Sequence, residues 1–139
     1  DPGLSEVIMR VLNSWFLAID AADKLIFVSF SPEYTGTNLT STTSITVDST
    51  WHHVAVDRIG TTFRLYIDGS VEDTDVRTVT FNDDGNPLGI GAVQEDPTFN
   101  EFWGYMDELR VSKGIARWQG AFTPPGAPYG FVPKVMMII

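Results

Sequence analysis

Two adjacent histidines, His52 and His53, are the first residues whose types suggest chemistry, because imidazole binds metals and acts as a general base. They lie in the run WHHVAVDRI, whose alternating apolar residues predict a β-strand. Successive side chains of a strand point to opposite faces, so these two imidazoles are not expected to converge on one ion. The pattern favours one packed, structural imidazole, assigned to His53, beside a more exposed neighbour.

Carboxylate pairs are the next candidates, since glycoside hydrolases place two of them across a cleft. Asp73 and Asp75 share a strand face at i, i+2, but they follow a hairpin closely and are expected to be solvated edge charges. Asp107 and Glu108 are adjacent and therefore point to opposite faces. Hydrolysis is consequently disfavoured.

Asp107 is instead expected to have a structural role. It shares a predicted strand with Leu109 and Val111, and simple alternation turns all three to the same face. A charge on that face would be costly unless it were paired. We therefore expect Asp107 to be held by hydrogen bonds or by Arg110 or Arg117.

The loop of residues 82–86, NDDGN, is the best candidate for a calcium site. Asp83, Asp84 and Asn86 would offer the side-chain oxygens that this hard cation prefers. The spacing is not that of an EF-hand, and Asn, Asp and Gly are also the residues that turns require. A calcium site and a simple turn are both open at this point, and no other cofactor is expected.

Four aromatic residues are the best candidates for contact with a ligand: Trp103, Tyr105, Phe99 and Tyr34. Sugar rings stack on such side chains, while a nearby polar group such as the Asn86 amide bonds their hydroxyls. The alternative is that Trp103 and Tyr105 only cover the core.

These side chains must be positioned by short strands separated by turn signals. The predicted strands are residues 7–11, 14–20, 25–30, 45–47, 51–59, 62–67, 71–76, 79–81, 88–93 and 102–111. Residues 31–43 are polar and are predicted to be a loop. The apolar residues between 4 and 19 also fit helical spacing, but an all-β partner favours strands there.

The core is expected to contain the apolar residues of those strands. The predicted set includes Trp51, Val54, Val56, Leu65, Ile67, Leu88, Ile90, Leu109 and Val111. After residue 112 the segment KGIARW is too short for an ordinary helix, so it is predicted to be one tight turn that carries Trp118 back against the sheet. Phe122 anchors the exit from this turn.

Two stretches together resemble the laminin-G-like, concanavalin A-like jelly-roll domains. The first is WHHVAVDRIGTTFRLYIDG, residues 51–69, and the second contains GYMDELR, IARW and FTPP, residues 104–125. The resemblance covers residues 15–125 and implies an all-β fold, an antiparallel two-sheet β-sandwich in which one or two leading strands of the family, ahead of Val7, are expected to be missing. It also implies that Trp51 and His53 belong to the fold signature.

Composition narrows the list of partners. The chain has 139 residues, no cysteine and a net charge of −9, which disfavours nucleic acid and anionic membranes. No apolar run is long enough to span a bilayer. One jelly-roll domain is expected over residues 1–130, followed by an apolar tail over residues 131–139.

The resemblance suggests a non-catalytic module that binds carbohydrate or protein within a larger extracellular or virion assembly, such as a tail, fibre or capsid-surface protein. A purely structural assembly role is the alternative, and a glycoside hydrolase of the same fold is less favoured. We expect a homo-oligomer or a larger assembly, in which residues 1–13 or 131–139 pair or pack with another polypeptide.

Overall fold

The computed structural model describes residues 4–30, 36–45, 50–92 and 100–126, and these ranges contain strands and no helix. The strands are β1 (Leu4–Val11), β2 (Trp15–Asp20), β3 (Lys24–Ser29), β4 (Asn38–Ser44), β5 (Val54–Ile59), β6 (Thr62–Ile67), β7 (Ser70–Val76) and β8 (Leu88–Ile90). They form two antiparallel sheets, with the orders β4-β3-β2-β1-β8 and β5-β6-β7. The predicted β-sandwich is confirmed, and β1 and β2 exclude the helical alternative.

Four hairpins have turns whose residues suit a left-handed backbone. Asn13 and Asp23 have φ of 59° in the β1–β2 and β2–β3 turns, and Gly60 has φ of 59° between β5 and β6. Asp68 and Gly69, with φ of 49° and 79°, join β6 to β7. Asn, Asp and Gly tolerate this conformation better than other residues, so the turn chemistry fixes the register of each pair.

β4 corrects the prediction of a loop over residues 31–43. Leu39 and Ser41 are buried while Asn38, Thr40 and Thr42 are exposed, which is the period of a strand with one covered face. The strand was missed because Ser and Thr dominate it. Of the predicted strand at 45–47, Ile45 is not in a strand and the rest lies outside the described residues.

Two further predicted strands are wrong. Residues 79–81 and 102–111 are irregular, and β5 begins at Val54 rather than at Trp51. Glu108 has φ of 54°, which an extended chain cannot accommodate, so the second of these segments is broken there. β8 is confirmed over three of its predicted residues.

The core lies between the two sheets. Its buried side chains are Ile8, Met9, Leu17, Leu25, Phe27, Leu39, Phe63, Leu65, Ile67 and Val79. This confirms Leu65 and Ile67 as core residues, and Val54 and Val56 are partly buried against the same cluster.

Five of the predicted core residues are exposed instead: Trp51, Leu88, Ile90, Leu109 and Val111. An apolar strand residue is buried only where a second layer covers it. These five precede β5, lie on the short marginal strand β8, or belong to the segment that forms no strand. Their apolar character predicted burial, but their positions at the margin of the described strands leave them in contact with solvent.

The two sheets are joined along one side by carboxylates of β7 that bind β4, an arrangement we call the carboxylate junction. Glu72 accepts hydrogen bonds from the backbone N–H groups of Thr42 and Thr43 at 3.0 and 2.8 Å and from both of their hydroxyls. Asp73 accepts the backbone N–H of Thr40 at 2.9 Å. Side chains of β7 thus satisfy donors on the β4 edge that faces away from β3, where no other described strand pairs with it.

Asp75 extends the carboxylate junction toward residue 36. It accepts the hydroxyl of Thr37 and lies 3.4 Å from the guanidinium of Arg77, which also donates to the carbonyl of Gly36 at 3.1 Å. The expectation that Asp73 and Asp75 are solvated edge charges is therefore wrong, because both bind groups on or next to the opposing strand.

Residues 112–125, which we call the clasp, pack on the three-stranded sheet through Trp118 and Phe122. The two rings stack at 4.2 Å, and the imidazole of His53 and the ring of Tyr66 lie 5.3 and 5.4 Å from Phe122. The predicted return of Trp118 and the anchoring role of Phe122 are confirmed.

The clasp is fixed to the β6–β7 turn at Gly69. The Phe122 N–H donates to the Gly69 carbonyl at 2.9 Å, and a Cβ on Gly69 would lie 1.9 Å from the Phe122 oxygen. Only glycine allows this approach.

The clasp lies next to a buried polar group formed by Asp57, Tyr66 and Arg64. The Tyr66 hydroxyl donates to Asp57 at 3.0 Å, and an Arg64 nitrogen lies 3.7 Å from the other carboxylate oxygen. Burial raises the pKa of Asp57, although Tyr66 and Arg64 partly offset it, and burial together with Asp57 raises the pKa of Tyr66 to about 12.

We predict that Glu72→Gln destabilises the fold by about 1–2 kcal/mol at pH 7, because charge-assisted hydrogen bonds become neutral ones. Burial raises the pKa of Glu72, but hydrogen bonds from Thr42 and Thr43 outweigh it and hold this pKa below the ordinary 4.5. The contribution is therefore complete above pH 4.5 and is lost as the pH falls through the lower, folded-state value. Urea unfolding of wild type and variant from pH 7 to pH 3 measures it.

Asp84→Asn is the matched control for Glu72→Gln, since it removes one charge from an exposed loop. Equal unfolding free energies for the wild type and Glu72→Gln at pH 7 would refute a stabilising role for the junction.

We predict that Tyr66→Phe costs about 1–3 kcal/mol, because it removes the hydroxyl that donates to buried Asp57. Folded Tyr66 has a pKa of about 12 against 10.0 ordinarily, so the unfolded chain loses its proton first. This contribution to stability is complete below pH 10 and is lost between pH 10 and about 12. Unfolding free energies at pH 7, 9 and 11 should show a shallower alkaline loss in the variant, while exposed Tyr105→Phe should match wild type at pH 7.

Candidate ligand site

Residues 100–106 run beside β1 and carry two exposed aromatic rings, and we call this segment the aromatic platform. Its backbone is held at three points. The Asn100 carbonyl accepts the Val7 N–H at 2.8 Å, and the Phe102 N–H donates to the Gly91 carbonyl at 2.8 Å. The Trp103 N–H donates to the Glu6 carboxylate at 3.1 Å.

Side chains of the platform divide into two that pack inward and two that point to solvent. Phe102 and Met106 pack against the core, while Trp103 is 77 % exposed and Tyr105 is 88 % exposed. The alternative that Trp103 and Tyr105 cover the core is therefore wrong, since Phe102 and Met106 do so.

Gly104 permits this division. A Cβ at that position would lie 2.9 Å from the ring of Phe102, so a larger residue would push that ring out of its place against the core. Met106 lies in turn against Gly91, where an added Cβ would approach its methyl group to 3.2 Å. Glycines thus let both anchors reach the core on a short segment.

Phe99 and Tyr34, the other two predicted ligand residues, lie outside the described residues. Asn86 is among the described residues, and its side chain contacts the β1–β2 turn. Its amide donates to the Leu12 carbonyl at 3.2 Å, as that of Asn82 does to Asn13 at 2.6 Å. These bonds tie the loop of residues 82–86 to the β1–β2 turn, six or more residues along from Glu6.

The same loop was the candidate calcium site. Asp83 and Asp84 are exposed, and the amide nitrogen of Asn86 is engaged by the turn. Within the part of the chain that the structure describes, no three His, Asp or Glu side chains are grouped so as to hold a metal ion. The described geometry fits the turn interpretation of this loop.

Of the residues predicted to be structural, only His53 packs as expected, against the clasp. Trp51 is 66 % exposed. Asp107 is exposed, so its expected place on a covered face is wrong, but its carboxylate is held by a hydrogen bond, from the N–H of Glu108 at 2.8 Å. Arg117 donates to the Ser112 hydroxyl at 3.0 Å, within the clasp, rather than to Asp107.

An imidazole–carboxylate pair was not predicted from the sequence. His52 Nδ1 lies 2.8 Å from Asp68 Oδ2, and Asp68 Oδ1 accepts the His53 N–H at 2.9 Å. Partial burial opposes ionisation of Asp68, yet the hydrogen bonds from His52 and His53 lower its pKa. The register could have revealed the pair, because Val54 opposite Ile67 brings residue 53 next to residue 68.

No helix among the described residues is long and apolar enough to cross a membrane. No curated protein and no solved structure matches the chain. A family model described as the concanavalin A-like lectin/glucanases superfamily, of the laminin G type, matches residues 2–118. With most of its length matched and two antiparallel sheets, the chain belongs to the concanavalin A-like lectin/glucanase superfamily.

Proposed function

We propose that this chain is a non-catalytic module that binds carbohydrate on the aromatic platform. The observation that carries the proposal is the exposure of Trp103 and Tyr105 on a backbone whose flanking residues, Phe102 and Met106, are anchored in the core. Flat apolar rings stack on the faces of sugars. A ring on a fixed backbone loses less conformational entropy on binding than one on a free loop.

A role in stabilising the fold does not explain why these two rings are present on the surface. Two large aromatic side chains left in water contribute little to the hydrophobic stabilisation of the core. The carboxylates Asp73 and Asp75, by contrast, are occupied in the carboxylate junction, which supports a binding rather than a hydrolytic role. We further propose that the module works in an extracellular or virion assembly, as the family resemblance suggests.

We predict that Trp103→Ala and Tyr105→Ala each weaken glycan binding at least tenfold and change the unfolding free energy by less than about 0.5 kcal/mol. Met106→Ala should instead lower the unfolding free energy by about 1–3 kcal/mol, because it truncates a side chain that packs against the core. A glycan array identifies ligands, and calorimetry with the best of them measures affinity.

The matched control is Trp51→Ala, which removes an equally large exposed ring from a segment outside the platform. Binding that survives Trp103→Ala and Tyr105→Ala but is lost in Trp51→Ala would place the site elsewhere. An array with no glycan bound would reject carbohydrate as the ligand.

A second candidate function, assembly with other copies, is favoured by exposed apolar side chains in β8 and in residues 109–115. They are Leu88, Ile90, Leu109, Val111 and Ile115. Solvent-exposed apolar groups that cluster on a surface mark sites of protein contact. β8, which carries the first two, is the last strand of its sheet among the described residues, and strand edges recruit partners.

We predict that the chain is dimeric or larger at micromolar concentration and that Val111→Lys combined with Ile115→Lys shifts it to monomer, because lysine keeps both positions solvated. Light scattering after size exclusion measures the mass. Thr78→Lys combined with Thr80→Lys, also at exposed positions, is the control for added charge. A wild-type monomer would refute the assembly role.

A further inference from the structure

The carboxylate of Glu6 is bound to the backbone of the aromatic platform, at the residue that carries one of its two exposed rings. Its Oε2 accepts the backbone N–H of Trp103, which belongs to the proposed stacking surface. The two residues are 97 positions apart in the chain. An ionised carboxylate has no hydrogen to donate, so it acts only as a hydrogen-bond acceptor. Beyond the bond from Trp103, the carboxylate keeps further lone pairs that a donor group of a ligand can use.

Other charges close to the platform in sequence have the same sign. Residues 100–109, NEFWGYMDEL, contain Glu101, Asp107 and Glu108 and no basic residue. The nearest basic residue after them, Arg110, already interacts within the chain. The whole chain adds a background charge of −9, but salt screens distant charges, so the near carboxylates dominate.

We infer that the aromatic platform discriminates glycans by charge, binding cationic amino sugars most tightly, neutral sugars less tightly and anionic sugars least. The inference rests on the proposed carbohydrate function. Hydroxyl and ammonium groups donate to Glu6, and an ammonium group gains in addition from the electron-rich faces of Trp103 and Tyr105. A uronate or sulfate brings a second acceptor to Glu6, which leaves both anions unpaired in a partly desolvated contact.

A matched ligand series can test this order. Cellotetraose, the glucosamine tetramer and the glucuronate tetramer share a β-1,4-linked gluco-configured backbone and differ in one substituent per ring. Calorimetry at pH 6 and 50 mM salt should give at least tenfold tighter binding of the amino tetramer than of cellotetraose. The glucuronate tetramer should bind at least tenfold more weakly than cellotetraose, and both differences should shrink at 500 mM salt.

Two charge variants separate the local effect from net charge. Glu6→Gln preserves the size of the side chain and should reduce each difference at least threefold. Asp84→Asn removes the same charge from the loop tied to the other end of β1 and should change the differences by less than twofold. Circular dichroism and melting temperature confirm that both variants are folded.

The outcomes distinguish this inference from the function on which it rests. Binding that requires Trp103 but follows no charge order, or follows the reverse order, overturns the charge inference and leaves carbohydrate binding in place. Equal effects of Glu6→Gln and Asp84→Asn also overturn it, because net charge alone would then explain the order. Failure of every glycan in the series and on the array overturns the proposed function itself.

Discussion

The sandwich depends on how its second sheet is joined to the first at an edge where the strands share no backbone ladder. Edge strands carry unpaired N–H groups that must be bonded to something. Here β7 provides carboxylates, and those of Glu72 and Asp73 bind backbone donors of β4. The bonds bring β4 and β7 together, which encloses Leu39 and Leu65 in one core. An acidic strand, which would repel a second acidic strand, is thus matched to one rich in threonine.

Local chemistry made most of the hairpins predictable. Asn13, Asp23, Gly60 and the Asp68–Gly69 pair each stand where a tight turn needs a left-handed residue, and the strands between them were correctly anticipated. β4 was not, because Ser and Thr dominate its sequence and the edge that faces away from β3 is bonded by carboxylates about thirty residues later in the chain. Hydrophobic periodicity detects burial against apolar neighbours and is insensitive to a strand whose exposed edge is satisfied by carboxylates.

The sequence identified the two exposed aromatic residues of the candidate site, but not how the rest of their segment is arranged. The exposed aromatics Trp103 and Tyr105 were identified from the sequence, but which residues of their segment would turn inward was not. A strand pattern assigned burial to Leu109, whereas the left-handed backbone at Glu108 breaks that strand. The contact of Glu6 with Trp103 joins residues 97 positions apart, and no local pattern signals such a pair.

The close approach of Phe122 to Gly69 has a consequence for the order in which the molecule folds. The clasp docks on backbone that is exposed only after β6 and β7 have paired around their turn, so its surface does not exist in a chain without that hairpin. The hairpin, by contrast, is made of local contacts that form without the clasp. The clasp therefore joins after this hairpin has formed, and its release would remove the cover that Trp118 and Phe122 give to Tyr66.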